Sequence, residues 1–276
     1  MFKILAKETL TPTVSLFRIE APAVARATRP GQFVMLMTDE KGERIPFTIA
    51  DWDEAEGSVS LVVSHVGHTT RKLSALQPGD SLAHFIGPLG KKSEIGHFGN
   101  VACVATGYGM VTIVPSARAL KEAGNRVFSI VSAPSKGELL LPERLAGVSE
   151  RQIITTSDGS AGRPGWVLEP LRELLASEQI DRVLVIGSLC MMKLATEACR
   201  GIKTIVSLNP IMVDGTGMCG ACRVSVAGKT SFACVDGPEF DGHGVDWDLL
   251  MARRCPYPVD AKSGESVYRC QSCAQW

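Results

Sequence analysis

Residues 101–109 have the sequence VACVATGYG, and this stretch decides the fold. Its five consecutive apolar residues predict a strand that is buried on both faces of a sheet. Gly107 and Gly109 then predict a tight turn that leads directly into a helix. A buried strand, a glycine-rich turn and a helix in this order are typical of a parallel α/β sheet that binds a dinucleotide.

The alternation of strand and helix continues along the chain. Further buried strands are predicted at residues 127–131, 182–187 and 204–208. Helices are predicted at residues 116–124, 166–177 and 191–200. This order predicts an α/β doubly wound parallel sheet.

The chain before residue 98 has a different pattern. Residues 14–19 and 58–63 alternate with period two, and Pro-Gly turns separate such segments, which predicts a small antiparallel β-barrel. After residue 208 the chain is rich in glycine and cysteine. We therefore predict a β-barrel at 1–97, an α/β domain at 98–208, a small cysteine-rich domain at 209–252 and a cysteine-containing tail at 253–276.

Composition excludes several classes of function. Lys and Arg total 29, as do Asp and Glu, so no general basic surface for nucleic acid is expected. Residues 1–8 contain no apolar stretch typical of a signal peptide, and no run approaches the ~18 apolar residues of a membrane span. We expect a soluble, cytoplasmic protein without membrane insertion.

The cysteines are unevenly distributed. Six of the nine are Cys219, Cys222, Cys234, Cys255, Cys270 and Cys273. In a reducing compartment, such clustering indicates metal binding more often than disulfides.

Residues 214–222 have the sequence DGTGMCGAC, and Cys234 follows. Plant-type 2Fe–2S proteins use C-x4-C-x2-C and a distant fourth cysteine. Both gaps are kept here, with Asp214 in the first position, so Asp214, Cys219, Cys222 and Cys234 are the predicted ligands. A C-x2-C pair is also common at zinc sites, but zinc would want a second close pair, which Cys234 lacks. The Asp-Gly dipeptide could also be only a turn.

The tail cysteines allow three interpretations. Cys255, Cys270 and Cys273 could form a zinc site together with His243, could be free thiols, or could be ligands shared with a partner chain. A second metal at these cysteines remains open.

Two short segments fit a flavin. Residues 44–50, RIPFTIA, combine an arginine fork for phosphate with a threonine that can hydrogen-bond a flavin edge. Residues 64–70, SHVGHTT, place a glycine and two hydroxyls before a predicted helix, where main-chain N–H groups can bind pyrophosphate. Each segment taken alone fits a plain strand and turn better than a flavin site, and only the order and spacing of the two favour the flavin.

Together, the order and spacing of these motifs resemble the ferredoxin–NADP reductase superfamily, in its dihydroorotate dehydrogenase electron-transfer subunit branch. The resemblance spans about residues 1–252. It is carried by RIPFTIAD (44–51), GHTT (67–70), GPLG (87–90), TSDGS (156–160) and the Asp214 to Cys234 motif. Within that branch the chain is most similar to the small subunits of NADH-dependent reduced ferredoxin:NADP oxidoreductases, also called sulfide dehydrogenase small subunits, because the dihydroorotate branch uses four cysteines.

The resemblance implies roles for individual residues. FAD would lie in the barrel and contact Arg44, Pro46, Phe47, Thr48 and Ile49, with its pyrophosphate near Gly67, Thr69 and Thr70. The dinucleotide would lie on loops that end sheet strands, at Gly107, Gly109, Asp158, Gly159 and Gly187. Cys190 would lie beside the nicotinamide, or would be only a small buried residue. The chain departs from the family pattern at Tyr108, within a turn that usually has the sequence GGVG, and in the tail.

The choice of nicotinamide depends on the 2′-phosphate. NADP(H) would require an arginine after the second sheet strand. Residues 132–136 offer only Lys136, which favours NAD(H). Arg163 is the residue that could reach the site and reverse this preference.

The predicted function is electron transfer between NAD(H) and a partner through FAD and the 2Fe–2S cluster. The resemblance implies a large flavoprotein subunit with its own FAD and 4Fe–4S clusters, an indirect exchange with ferredoxin, and flavin-based electron bifurcation. Two alternatives remain open. The chain could be the diaphorase subunit of another complex that oxidises dihydroorotate, sulfide or an aldehyde, or a nucleotide-binding redox sensor without turnover.

Overall fold

The computed structural model describes residues 2–254, and its amino-terminal part is a nearly closed antiparallel barrel. Its elements are β1 Phe2–Thr11, β2 Val14–Glu20, α1 Pro22–Ala27, β3 Phe33–Met37, β4 Ile45–Asp53, β5 Ser58–Ser64, α2 His68–Ala75, β6 Ser81–Leu82 and β7 His84–Leu89. The strand order is β6-β1-β2-β5-β4-β3-β7. Because only Ala83 separates the two end strands, β6 and β7, the two edges of the sheet come together, as the barrel prediction requires.

The middle part of the chain is a parallel sheet with helices on both faces. Its elements are β8 Asn100–Thr106, α3 Gly109–Thr112, α4 Val114–Glu122, β9 Arg126–Ala133, a 3₁₀ turn Lys136–Glu138, α5 Pro142–Ala146, β10 Arg151–Thr156, β11 Arg163–Pro164, α6 Leu168–Ser177, β12 Arg182–Ile186, α7 Leu189–Ala198 and β13 Lys203–Ser207. The order β11-β10-β9-β8-β12-β13 is parallel throughout. The doubly wound parallel sheet is therefore confirmed.

The cysteine-rich segment is joined to this sheet by hydrogen bonds. Its elements are the hairpin β14 Arg223–Val226 and β15 Lys229–Phe232, then β16 Glu239–Asp241, a 3₁₀ turn Gly242–Gly244 and α8 Trp247–Arg254. Strand β16 pairs antiparallel with β13 and becomes the seventh strand of the parallel sheet. We call residues 209–246 the cluster unit.

The core has one apolar cluster inside the barrel, around Phe17 and Leu61, and one on each face of the parallel sheet. Among residues 2–254 no helix is long and apolar enough to span a membrane. The boundaries at residues 97, 208 and 252 stay predictions, and Cys255, Cys270 and Cys273 lie outside the described residues.

Candidate cofactor sites

The carboxyl edge of the parallel sheet has a switch point between β8 and β12. The chain proceeds from β8 toward β9 on one side, and from β12 toward β13 on the other. Loops at such a point leave a crevice that suits a dinucleotide. Gly107 and Gly109 follow β8, with Gly109 as the first residue of α3, while Gly187 follows β12. The sheet therefore brings these three predicted residues to one crevice.

Cys190 lies at the same edge, as the second residue of α7, and is only partly buried. Ser188 caps this helix by accepting a hydrogen bond from the Met191 N–H. Cys190 therefore lies at the same sheet edge as the three glycines, and its position beside the nicotinamide stays a prediction.

A second pair of loops meets farther along this edge. Ser160, in the loop after β10, accepts a hydrogen bond of 2.7 Å from the Lys136 N–H, in the loop after β9. Asp158 accepts hydrogen bonds from the hydroxyl and the N–H of Ser160, and these lower the pKa of its carboxyl. Asp158 and Gly159 are both exposed on this loop.

A cavity of about 210 Å³ opens where the barrel, the parallel sheet and the cluster unit meet. Its lining includes Pro46, Phe47, Thr48 and Thr70 from the barrel, Tyr108 and Thr112 from the parallel-sheet part, and Asn209, Pro210 and Met212 from the cluster unit. Apolar and aromatic walls with a few hydroxyls suit a flat heteroaromatic ring. Four residues predicted to bind FAD, namely Pro46, Phe47, Thr48 and Thr70, thus lie around one cavity, which we call the flavin cavity.

The other predicted FAD residues have different positions. Arg44 is exposed just before β4, and Ile49 is buried in the barrel core, so any contact of Ile49 with a cofactor would involve its main chain. Gly67 caps α2, and its N–H donates to Thr70 Oγ1. Thr69 donates to the Glu43 carboxylate at 2.7 Å, which brings the start of α2 beside the loop of Arg44. The two predicted phosphate-binding segments therefore converge.

Sequence reasoning missed Thr112. Its hydroxyl oxygen lies buried at the flavin cavity and has no hydrogen-bond partner among the described residues. A buried hydroxyl is normally paired, so an unpaired one facing a cavity fits a ligand that supplies the partner. Nothing in the sequence distinguishes Thr112 from a helix residue facing the core.

The cluster loop, residues 214–222, follows a path that only glycine adopts easily. Gly215, Gly217 and Gly220 all have φ between +66° and +86°. A Cβ atom on Gly215 would lie 2.6 Å from Met35 Cγ, so the loop packs closely on barrel strand β3. The predicted folding of this loop around a compact site is therefore present in its backbone.

The predicted ligands lie in two groups. Cys222 Sγ and Cys234 Sγ are buried and 3.2 Å apart, while Cys219 is exposed on the loop. The Asp214 carboxylate accepts hydrogen bonds from the N–H groups of Thr216 and Cys219, which lower its pKa. Within residues 2–254, no three His, Cys, Asp or Glu side chains converge into a complete metal site.

The chemistry of these donors fits an iron–sulfur cluster. Main-chain N–H groups of Ala221 and Cys234 donate to Cys219 Sγ and Cys222 Sγ at 3.5 and 3.4 Å. Such N–H···S bonds stabilise the thiolates that hold iron. Burial raises the pKa of Cys234 to about 12, and a bound metal ion removes such a proton outright.

His243 is engaged elsewhere. Its Nε2 lies 2.9 Å from the carbonyl oxygen of Ile202, beside β13. The tail cysteines that would complete a zinc site with it lie outside the described residues. The second metal site therefore stays a prediction.

Comparison with known proteins identifies the barrel and the cluster unit. Residues 1–93 match the oxidoreductase FAD-binding domain family, and residues 209–246 match the iron–sulfur cluster binding domain of dihydroorotate dehydrogenase B. A Thermotoga maritima homolog of the dihydroorotate dehydrogenase B (NAD(+)) electron transfer subunit is 46% identical over 262 residues, covering 94% of this chain and 93% of the relative. The chain belongs to the dihydroorotate dehydrogenase B electron-transfer subunit family. It is thus an oxidoreductase electron-transfer subunit with FAD-binding and iron–sulfur-binding domains.

Further relatives agree with this assignment. A probable electron transfer subunit of the same enzyme from Methanocaldococcus jannaschii is 33% identical, covering 94% of each chain. A solved structure of the NADH-dependent reduced ferredoxin–NADP oxidoreductase, described for flavin-based electron bifurcation, contains a chain 45% identical to this one, with a TM-score of 0.89, covering 93% of this chain and 94% of that one. A Neisseria gonorrhoeae ferredoxin NADP+ reductase, at 20% identity and a TM-score of 0.54 over 71% of this chain and 88% of that one, shares the fold.

Proposed function

We propose that this chain passes electrons between NAD(H) and a partner flavoprotein through FAD and a 2Fe–2S cluster, in a complex that performs flavin-based electron bifurcation. The similarity to a chain of the bifurcating oxidoreductase supports this choice. So does Asp214, which stands where the dihydroorotate branch has its first cysteine. When bound, FAD would convert between the electron pair of a nicotinamide and the single electrons of a cluster.

One observation carries the proposal: the flavin cavity touches both ends of the proposed path. Tyr108, in the glycine turn of the nucleotide crevice, lines one wall. Phe33 lines another wall and also packs in the apolar cluster that contains Cys222 and Cys234. The nucleotide crevice, the flavin cavity and the Cys222–Cys234 thiol pair would therefore be neighbours in space, in that order. Short-range electron transfer requires such an arrangement.

The residues of this chain would act by binding and positioning. Gly107, Gly109, Gly187 and Cys190 would line the nicotinamide nucleotide, while Asp158 and Gly159 would border its ribose. Pro46, Phe47, Thr48 and Thr70 would hold the isoalloxazine ring, and Arg44, Gly67 and Thr69 would lie toward the pyrophosphate. Asp214, Cys219, Cys222 and Cys234 would hold the cluster.

Asn209 would fix the position of the nucleotide crevice relative to the cluster unit. Its side-chain amide donates to the Tyr108 hydroxyl at 2.5 Å, which ties the glycine turn to the segment that enters the cluster unit. This hydrogen bond spans one side of the flavin cavity.

An anaerobic NADH titration of the FAD- and cluster-loaded chain tests the proposal. We expect NADH to bleach the flavin absorbance and to produce the electron paramagnetic resonance signal of a reduced cluster. If neither signal changes, the electron-transfer proposal is wrong, and the alternative of a redox sensor without turnover gains support.

The cluster unit also has a surface that suits the partner subunit. Ile211, Val213, Met218 and Val235 are exposed around the cluster loop, with Met218 88% exposed. Exposed apolar groups concentrated in one small unit are typical of an interaction surface. A partner bound there would lie next to Cys219, the exposed predicted ligand.

We therefore expect Met218→Glu to weaken capture of the large subunit, because a carboxylate would be buried without a partner. Ile86→Glu, at an exposed apolar position on barrel strand β7, is the matched control and should bind normally. The measurement is co-purification with tagged chain from native extract, followed by identification of the partner. A dihydroorotate dehydrogenase instead of a flavoprotein with 4Fe–4S clusters would favour the diaphorase alternative.

A further inference from the structure

Arg163 is held by a carboxylate on the neighbouring helix. Its two terminal nitrogens bind the two oxygens of Glu173, on α6, at 2.6 and 2.7 Å. This geometry pairs both terminal nitrogens of the guanidinium with one carboxylate, and it raises the pKa of Arg163 while lowering that of Glu173. The fork that could bind a phosphate is therefore occupied by the chain itself.

The backbone holds Arg163 at the carboxyl edge of the sheet. Arg163 pairs with Thr155 near the end of β10. The loop before it folds back so tightly that a Cβ atom on Gly162 would lie 2.1 Å from the Ile154 carbonyl oxygen. Thr156 bonds both the N–H and the carbonyl oxygen of Ala161, which fixes the same turn.

This loop also borders the expected position of the ribose. In doubly wound folds the ribose 2′ position is recognised after the second strand, which is β9 here. The loop after β9 is joined to the Arg163 loop by the Lys136 to Ser160 hydrogen bond. Asp158 adds an ionised carboxylate on the same loop, which would repel a 2′-phosphate.

We infer that Glu173 is a specificity-determining residue that withholds Arg163 from the 2′-phosphate and so makes the site select NAD(H) over NADP(H). The inference rests on the proposed nucleotide site. Glu173 acts through Arg163 and touches no nucleotide itself, and its removal frees a planar fork that matches phosphate geometry.

Glu173→Gln tests this in the full-length, FAD-loaded chain, with NAD+ and NADP+ binding measured by isothermal titration calorimetry. We expect NADP+ to bind about tenfold tighter than in the unmodified chain, since one charge-assisted bidentate contact is gained, while the NAD+ affinity is unchanged. Adding Arg163→Ala to Glu173→Gln should remove the gain.

Glu150→Gln is the matched control. Glu150 makes the same kind of two-point pair with Arg126, but at the amino end of β9, opposite the nucleotide edge. Its loss should leave the affinities for both nucleotides unchanged.

The outcomes separate this inference from the proposed function. If Glu173→Gln binds NAD+ normally and gains no NADP+ affinity, the inference is overturned and the proposed function stands. A gain that survives Arg163→Ala, or that Glu150→Gln reproduces, also overturns it. If the unmodified chain binds neither nucleotide, both fail.

Discussion

At the scale of single residues, the Thr112 hydroxyl lies buried beside the flavin cavity without a hydrogen-bond partner among the described residues. We expect Thr112→Val, which keeps the shape and removes the oxygen, to weaken FAD binding about fivefold. The stability of the FAD-free chain should not fall, because no protein hydrogen bond is lost. FAD affinity is measured by fluorescence quenching on reconstitution.

Thr155→Val is the control for this change. Its hydroxyl is also buried without a partner among the described residues, but it lies on β10 and does not line the flavin cavity. Equal loss of FAD affinity in both variants would contradict the role of Thr112.

Asp214 is the residue whose ligand role is most directly testable. If its carboxylate binds iron, Asp214→Cys should change the electron paramagnetic resonance spectrum of the reduced cluster, because a soft thiolate replaces a harder oxygen ligand. Asp248→Cys adds a thiol at an exposed position on α8 and should leave the spectrum unchanged. An unchanged spectrum in Asp214→Cys would count against the ligand assignment.

At the scale of elements, the turn between β10 and β11 depends on one glycine. Gly162→Ala should destabilise the chain by more than about 1 kcal/mol, since it combines a left-handed φ of +64° with a collision against the Ile154 carbonyl. Gly201→Ala, with φ of +81° and open space, should cost only about 1 kcal/mol. Thermal unfolding of both variants measures the two losses of stability. Equal losses would show that the structure relieves the collision at Gly162 without cost.

The longer elements were predictable because their patterns are local. The buried strands at 101–105, 127–131, 182–187 and 204–208 were confirmed within about two residues, as β8, β9, β12 and β13. The predicted helix at 116–124 begins earlier, at Val114, and α3 precedes it, because Pro115 in the first turn is compatible with a helix start.

The short elements were not predictable in the same way. Strand β10 begins with Arg151 and Gln152, whose polarity obscures the apolar run, and no bounds were predicted for it. Strand β16 has only three residues and exists because it pairs with β13. Helix α5 also has no predicted counterpart.

At the scale of the whole molecule, Glu239 connects the cluster unit with the end of the barrel and with the parallel-sheet part. It lies on β16, accepts a hydrogen bond of 2.7 Å from Ser93 after the barrel, and Ser93 in turn bonds Ser116 on α4. The residue is partly buried, but its carboxyl is withdrawn from water, and this desolvation raises its pKa despite the nearby Arg182.

The raised pKa predicts a pH dependence of stability. The folded chain binds the Glu239 proton more tightly than the unfolded chain, in which the glutamate has its ordinary pKa of about 4.5. The stability of the folded chain therefore falls as the pH rises from about 4.5 through the raised pKa of the folded state. Glu239→Gln imitates the protonated form. It should therefore be more stable than the unmodified chain near neutral pH, and this difference should vanish below about pH 4.5.

Thermal unfolding midpoints from about pH 4 to about pH 8 measure this difference. Glu122→Gln, at an exposed carboxylate on α4, should show no such pH-dependent gain. A Glu239→Gln variant that is equally destabilised at every pH would indicate that the carboxylate is needed for its hydrogen bond and not penalised by burial.

The sequence by itself determined the barrel and the doubly wound sheet and supplied the candidate cluster ligands, which stay a prediction, because periodicity, glycine turns and cysteine spacing are local properties of the chain. Only the tertiary structure decided that Tyr108 and Phe33 share one cavity, that Thr112 faces it without a partner, and that Glu173 occupies the Arg163 fork. The physical reason is that these contacts join residues on different elements or units, and no spacing along the chain records how barrel, sheet and cluster unit close upon each other.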